Sequence, residues 1–427
     1  MKQSQHVTPA QWNALPLIAL LTANAISMGG NVLVMVAIPW FVLQTTESAA
    51  KTGITAVFTI IPTILSTFFG GPFIDRLGYK RVSIIADLAS GVAVALIPLM
   101  YSTIGLEFWQ LLILVFLGAL LDAPGDSARK ALIPDLVTLA GMNLDRVNGI
   151  AQAIERGARL VGAPLAGILI ALIGTSNLLW IDTVTFAVSA LLVALLVPRT
   201  KGEQAETDES YMKELGAGFG FIRHNRLIFA IIIIVLMTNF LDAPLFAVIM
   251  PVFARQVFGS AVDLGLMIGA WGLGSLVGAL LYSALAPKLP RRMTFIGAFI
   301  MVGGLFWGLA MLPPLPVVLA VIVVAGVAAA PLNPIIWTVL QSYIPPTMRG
   351  RVIGVVTAGV NIAVPLGMFI AGYLIEWIGL RATLLLQAMC YLLVTGSMVF
   401  NTSLHEMDRS TDSADVEAAP QTHETVL

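Results

Sequence analysis

The sequence predicts an all-α membrane protein in which twelve transmembrane helices form two six-helix, pseudo-symmetric bundles. Three observations carry that expectation. Apolar runs of helix length recur from end to end of the 427 residues, and charged residues make up only 11% of the chain. Short motifs of the first half also return roughly 200 residues later in the second. Soluble domains carry about 25% charged residues, so a water-exposed surface cannot be built from this inventory and most of the chain must face lipid.

A bilayer-crossing helix needs about 20 apolar residues. Residues 1–14 form a short polar segment, and the first span is placed at 15–43. Its uncharged run from Leu17 to Leu43 far exceeds the core of a signal peptide, about 7–15 residues, so it is read as a retained span. Further spans follow at 52–74, 80–102, 107–131, 148–173 and 176–198, completing a first bundle over 15–198. The second bundle, 227–401, holds spans at 227–254, 263–287, 292–312, 315–343, 351–377 and 381–401. The ninth and tenth come from one uncharged run that "LPPLP" at 312–316 interrupts, because proline cannot continue a helix.

Between the bundles, residues 199–226 are polar and mixed in charge. Tyr211, Leu215, Phe219 and Ile222 fall there at helical spacing, which predicts a short helix lying on the membrane surface. Residues 402–427 are acidic without apolar periodicity and are expected to be disordered.

Orientation follows from lysine and arginine in the short loops. Lys2, Arg76, Lys80, Arg81, Arg129, Lys130, Arg146, the linker's basic residues, Lys288, Arg291, Arg292, Arg349 and Arg351 gather on one side; Lys51, Arg255 and Arg381 fall on the other. Both termini are therefore expected in the cytoplasm of a cell whose inner membrane holds the chain, and an even span count agrees.

The repeats are "RVNG" at 146–149 with "RVIG" at 351–354, "IPWF" at 38–41 with "MPVF" at 250–253, and "APLAG" at 163–167 with "VPLG" at 364–367. Two parallel six-helix repeats are the architecture of carriers that rock about a midplane site. Other classes fit poorly. A net charge of -1 leaves no basic surface for nucleic acid. Cys390 is the only cysteine, and His6, His224, His405 and His423 lie outside the spans, so no metal site, cofactor or membrane enzyme is expected. No phosphate-binding loop is present to drive a primary pump. A sensor or channel would call for pore-like symmetry of polar residues, and the halves carry different ones. The expected partners are a small-molecule substrate, protons and lipid, with the chain acting as a monomer.

The loop "GGPFIDRLGYKRV" at 70–82 crowds Asp75, Arg76, Lys80 and Arg81 around Gly78. It resembles the signature loop of the major facilitator superfamily, glycine-x-x-x-aspartate-arginine-x-glycine-arginine-lysine. Gly71, Asp75, Arg76, Gly78 and Lys80 match, Tyr79 replaces an arginine, and Arg81 follows one position later. Positive-inside charge explains the basic residues but not the aspartate. A carboxylate at this rim can meet the positive N-terminal end of an opposing helix, an interaction of about 0.3–1 kcal/mol, and the eleventh span starts on that side. The resemblance implies that this contact latches the two halves when the cavity faces outward. The second-half counterpart, "ALAPKLPRRM" at 284–293, lacks both aspartate and glycine, so the latch is expected to be one-sided.

In the fifth span, "GARLVGAPLAG" carries Gly157, Gly162, Pro164 and Gly167. It resembles the superfamily's antiporter signature, with Ala163 in place of one glycine, and that resemblance implies export. The plainer reading is a small-residue packing seam with a proline kink. "DAPGDSARKALIPDLV" at 122–137, with the fifth-span motifs and "IPPTMRGRVIG" at 344–354, is similar to the branch holding macrolide efflux proteins and the enterobactin exporter. The implied function is proton-coupled export of amphipathic small molecules such as macrolides or siderophore-like compounds; an importer of nutrients or metabolites is the alternative.

The resemblance implies that the first, fourth, seventh and tenth helices line the cavity. Their polar residues are Asn24, Ser27 and Asn31; Asp122, Asp126 and Arg129; Asn239 and Asp242; and Asn333, Trp337 and Gln341. Charges inside a membrane are rare and functional by default. At ~1.5 Å per residue, Asp122 lies roughly 21 Å in from the outer end of the fourth span, whereas Asp126 and Arg129 approach the inner rim, where Arg129 would snorkel. A carboxylate that gains and loses a proton as its surroundings turn wet and dry is what proton antiport requires, and Asp122 leads, followed by Asp242 and Asp126. The alternative for Asp122 is a permanent partner of Arg129, or of Glu155, Arg156 or Arg159. Asp87 and Asp182 sit near span ends and are expected at the interface, and Asn333, between Pro331 and Pro334, fits a backbone role equally well.

Overall fold

The computed structural model describes residues 13–199, 219–345 and 348–408, with the side chains at 67–73, 75 and 358 outside the described set. Among the described residues, twelve helices are long and apolar enough to cross a membrane. The first six are α1 (Leu15–Thr46), α2 (Ala49–Leu77), α3 (Tyr79–Thr103), α4 (Phe108–Ala140), α5 (Leu144–Ile173) and α6 (Thr175–Leu196). The second six are α7 (Arg226–Phe258), α8 (Ala261–Lys288), α9 (Arg291–Ala310), α10 (Leu315–Tyr343), α11 (Arg349–Ile378) and α12 (Leu380–Phe400). We call the end at which α1 begins the inner end.

Local chemistry sets the boundaries. Ser48, Asn143, Asn225 and Ser260 cap α2, α5, α7 and α8, each side chain accepting a hydrogen bond from the first-turn backbone. α2 turns into α3 through Gly78 at φ 80°, a conformation that L side chains resist. The two halves reuse parts. Gly174 and Gly379 hold nearly identical dihedrals between the last two helices of their bundles. Lys80, at the start of α3, donates to the Ala194 carbonyl at the end of α6 (2.8 Å), and Arg292, at the start of α9, donates to the Val399 carbonyl at the end of α12 (3.0 Å). Lys80 thus caps a helix C-terminus, satisfying a carbonyl that the helix leaves open.

Three boundaries differ from expectation. α4 continues past 131 to Ala140, through Pro124 and Pro134. Beyond Lys130 the one charge on the helix is the exposed Asp135, and Leu132, Ile133, Leu136, Val137 and Ala140 keep a buried helical stripe against Leu17, Leu20, Val147 and Val193. The tail does not turn irregular at 402. Thr402–Asp408 forms a 3₁₀ stretch whose Leu404 and Met407 are fully buried, and the Tyr343 hydroxyl donates to the Glu406 carbonyl at 2.6 Å. Spacing of three suits that helix, and the acidic residues beyond it dominated the composition. In the linker, Tyr211 and Leu215 lie outside the described residues. The helical stretch 219–224 is not purely a surface element, because Ile222 packs with Ile228, Leu340, Ile344 and Val352 while Phe219 is exposed.

The core reveals how the bundles meet. A single cluster crosses between the halves at the outer end, joining Trp40 and Phe41 of α1 to Ile249 and Met250 of α7 and Ala163 of α5 to Leu264 of α8, and it continues down the second bundle to Leu404 and Met407. At the inner end the core splits, one cluster around Leu20, Leu136 and Val193, another around Ile228, Leu340 and Val352. The helix pairs that join the halves are α2 with α11 and α5 with α8. Backbone meets backbone there. A Cβ on Gly167 would strike the Ala261 carbonyl, and one on Gly265 would strike the Ala163 carbonyl. The α5 motif therefore does not form one smooth face: Gly162 fits against Val32 of α1, Pro164 and Gly167 meet α8, and Gly157 has nothing within 4 Å.

That division is testable by calorimetry or fluorescence unfolding in detergent. Gly167→Ala is expected to lose about 1–3 kcal/mol by overpacking. Gly157→Ala, in open space, is expected to be neutral or to gain up to ~0.5–1 kcal/mol from helix propensity.

Candidate functional site

The first bundle buries a cluster of charge. Arg129 on α4 and Asp87 on α3 form an ion pair with both side chains at 3% exposure or less. Ser189 on α6 donates to the other Asp87 oxygen at 2.7 Å. Asp122, one face up α4, receives Asn31 Nδ2 from α1 at 3.0 Å and lies 4.0 Å from Arg129 Nη2. Its side chain keeps 24% of its accessible surface. Asp182 on α6 is buried nearby with Thr185 donating at 3.1 Å, and it fits because Gly30 of α1 has no side chain to occupy that space.

These positions correct the expected ones in three respects. Arg129 does not snorkel at the rim; it is held inside the bundle. Asp87 and Asp182 are not interfacial, being 0% and 1% exposed. Both lie seven or eight residues into their helices, roughly 10–12 Å from the end, and one carboxylate in an apolar run of that kind was the signal to weigh. Asp122 also sits near the midpoint of α4, because the helix runs to Ala140. Glu155 pairs with Arg159 at 3.2 Å and Asp126 with Lys130 at 2.7 Å, while Asp122 is engaged by Asn31 and Arg129 rather than by α5.

Two carboxylates, Asp87 and Asp122, face one guanidinium, with Asp182 buried nearby, which leaves negative charge unmatched in a medium where an unpaired charge costs several kcal/mol. Such a cluster has a use for a mobile cation, and the smallest is a proton. Among the described residues, no three of His, Cys, Asp and Glu gather closely enough to hold a metal.

A cavity of about 220 Å³ opens below the cluster at the inner end, between α1, α4 and α5. Asn24, Met28, Arg129, Asn148, Gln152 and Glu155 are among its walls. Arg129 therefore faces two ways, bonded to Asp87 on one side and bordering the cavity on the other.

The second bundle carries a different arrangement. Asp242 of α7 accepts from the buried Tyr391 hydroxyl of α12, 2.8 and 2.9 Å from its two oxygens. Tyr391 was not foreseen; a tyrosine within an apolar run reads as core packing until its partner is known. Just past Asp242, Pro244 withholds a backbone donor and α7 opens into two π-helical turns, Leu245–Ile249 and Ala254–Phe258, a distortion that often accompanies function. Asn239 donates to the Val360 carbonyl of α11 at 3.3 Å. Asn333, Trp337 and Gln341, four apart, share one exposed face of α10 below its break at Pro331. In the charged loop, Arg76 and Arg81 are exposed; the Asp75 side chain and the surroundings of Gly71 lie outside what is described, and with them the expected inner latch.

The profile of the Major Facilitator Superfamily matches residues 20–259 and again 232–423. The chain belongs to the Major Facilitator Superfamily. Within it, the multidrug efflux pump Tap of Mycobacterium tuberculosis is 35% identical over 382 residues, covering 88% of this chain and 91% of that protein. Tap of Mycolicibacterium fortuitum is 32% identical, covering 92% and 97%. Macrolide efflux protein A of Streptococcus pyogenes is 21% identical, covering 87% and 92%. Among solved structures, the nucleoside transporter NupG superposes with a TM-score of 0.72 at 13% identity, covering 90% of this chain and 98% of that one. A bacterial homologue of the iron transporter ferroportin, in its inward-facing state, gives 0.66 at 17%, covering 88% and 98%. These two share the fold; the family match and the Tap relatives make the chain a transporter rather than an enzyme.

Removing one partner of a buried ion pair strands the other, at about 3–5 kcal/mol. Arg129→Met is therefore expected to lower the unfolding midpoint sharply, and adding Asp87→Asn to restore most of it. In the second bundle, Tyr391→Phe is expected to cost about 1–3 kcal/mol by leaving a buried acceptor unsatisfied, and to cost far less when Asp242→Asn is already present, as a double-mutant cycle would measure.

Proposed function

We propose that this chain is a proton-coupled antiporter that exports amphipathic small molecules by alternating access, taking macrolide-like drugs or siderophore-like compounds from the inner end. The observation that carries the reading is the placement of Asp122. Of the three clustered carboxylates it alone keeps accessible surface, and it sits between Asn31 and the guanidinium that borders the cavity. Substrate entering below would compete for Arg129, and the balance of charge around Asp122 would then depend on whether it holds a proton. Asp242, with its tyrosine donor in the other bundle, is the second candidate. Asp126, already paired with Lys130 at the surface, is the weakest.

Export is further supported by the relatives named as multidrug and macrolide efflux proteins. The inner end, where the core is split, is assigned to the cytoplasm of a cell that holds this chain in its inner membrane, with both termini on that side. The chain works as a monomer, Asn24 and Gln152 offering polar contacts and Met28 an adaptable apolar one.

In everted vesicles, Asp122→Asn is expected to abolish the proton flux that an added macrolide induces while macrolide binding to the purified protein survives. Unchanged flux would remove Asp122 from coupling, and wild-type vesicles showing no macrolide-induced flux would remove macrolides as substrates.

A further inference from the structure

Glu376 lies at the outer end of α11, in the second bundle, yet its bonds are to the first. One oxygen, Oε2, accepts from the Ser48 hydroxyl at 2.9 Å and from the Ala50 backbone N–H at 3.1 Å. Ser48 is the N-cap of α2, and its hydroxyl oxygen in turn accepts from Lys51 N–H at 3.1 Å. The carboxylate and the cap together satisfy two of the donors that open α2, the N–H groups of Ala50 and Lys51, which no helix can satisfy within itself.

The internal repeat shows what is unusual about this. The counterpart of α2 in the second bundle is α8, capped by Ser260 in the same manner and carrying its own acid, Asp263, in the first turn. α2 has no acid in its first turn. It has Lys51 there, a positive charge at the positive end of a helix dipole, with its ammonium 5.4 Å from the centre of the Phe108 ring. The carboxylate that α8 carries itself, α2 receives from the opposite bundle. Its N-terminus is complete only while the bundles are together at this end.

The surroundings fit a contact made to part and re-form. Gly53 of α2 lies against Gly372 and the Met368 carbonyl of α11, one turn below Glu376, so the main chains meet there with no side chain between them. On the far side of the same seam, the Arg255 guanidinium of α7 lies over the buried Trp40 ring of α1 at 5.7 Å.

We propose that Glu376 is the outer latch of this transporter: a positioning residue that holds α2 to α11 while the inner end is open and lets go when the outer end opens. Asp75 closes α2 on the start of α11 in the reading of the loop motif; Glu376 closes α11 on the start of α2. The two grips exclude one another as the bundles rock. This rests on the alternating-access reading above, not on which residue carries protons or what is exported.

The test is a distance measurement in lipid nanodiscs, with spin labels at Ser102→Cys and Met311→Cys, the outer ends of α3 and α9, in a Cys390→Ser background. Glu376→Ala is expected to raise the ratio of long to short outer distances by about three- to tenfold relative to the unmodified latch, the shift that the net contribution of one hydrogen bond at an exposed site supports. Glu376→Gln, whose amide oxygen still accepts from Ser48 and Ala50, is expected to move the ratio the same way but less. A residue that merely capped a helix would lower thermal stability and leave the distances alone, so a folded Glu376→Ala protein with the parent's distribution overturns the latch. If Glu376→Ala does not fold, Glu376→Gln is read in its place and an unmoved distribution overturns it equally. A parent protein with one immovable outer distance under all conditions overturns rocking itself and the latch with it.

Discussion

Backbone-to-backbone contact along two helix pairs, α2 with α11 and α5 with α8, is the constraint from which the rest of the structure follows. Lipid offers no hydrophobic drive for bundles to associate, so they hold through close packing of small residues. Gly167 against Ala261, Gly265 against Ala163 and Gly53 against Gly372 bring main chains together without side chains between them. Such surfaces slide and separate at little cost, as deeply interdigitated ones do not. The continuous outer core and the divided inner core follow from where those glycines lie.

Charge is distributed to suit that motion. The first bundle concentrates Asp87, Asp122, Asp182 and Arg129 on α3, α4 and α6, helices that stay with their own half, so the cluster is not broken when the bundles move. The second bundle pairs Asp242 with Tyr391 and holds no arginine there. At the outer seam polar groups of Ser48, Ala50 and Glu376 reach across, where water is near and the cost of exposing them is small.

Much of the architecture was legible beforehand because it follows from the bilayer. Twelve apolar runs of spanning length, punctuated by Gly78 and the prolines at 312–316, admit few arrangements, and the repeats tie the halves together. The boundaries that differed had different causes. The stretch 402–408 is polar on average and apolar on one face, which a composition window averages away, whereas 132–140 is apolar apart from Asp135 and Thr138 and follows the charges Asp122, Asp126, Arg129 and Lys130, at which a span reads as ending. The site was less legible for another reason. Asp122 and Arg129 were visible as charges in a span, but Asp87 and Asp182 were assigned to the interface, since depth along one helix does not say which neighbour covers it.

The sequence by itself determined that this chain crosses a membrane twelve times in two related bundles and that its loops and α5 follow those of a transporter family; hydropathy, proline placement and repeats are properties of the chain taken singly. The tertiary structure alone decided that Arg129 closes on Asp87, that Tyr391 reaches Asp242 and that Glu376 completes a helix in the other bundle. Each is a meeting of residues from 42 to 328 positions apart. A polar group inside a bilayer takes its meaning from what it touches, and that is known only once the helices are packed.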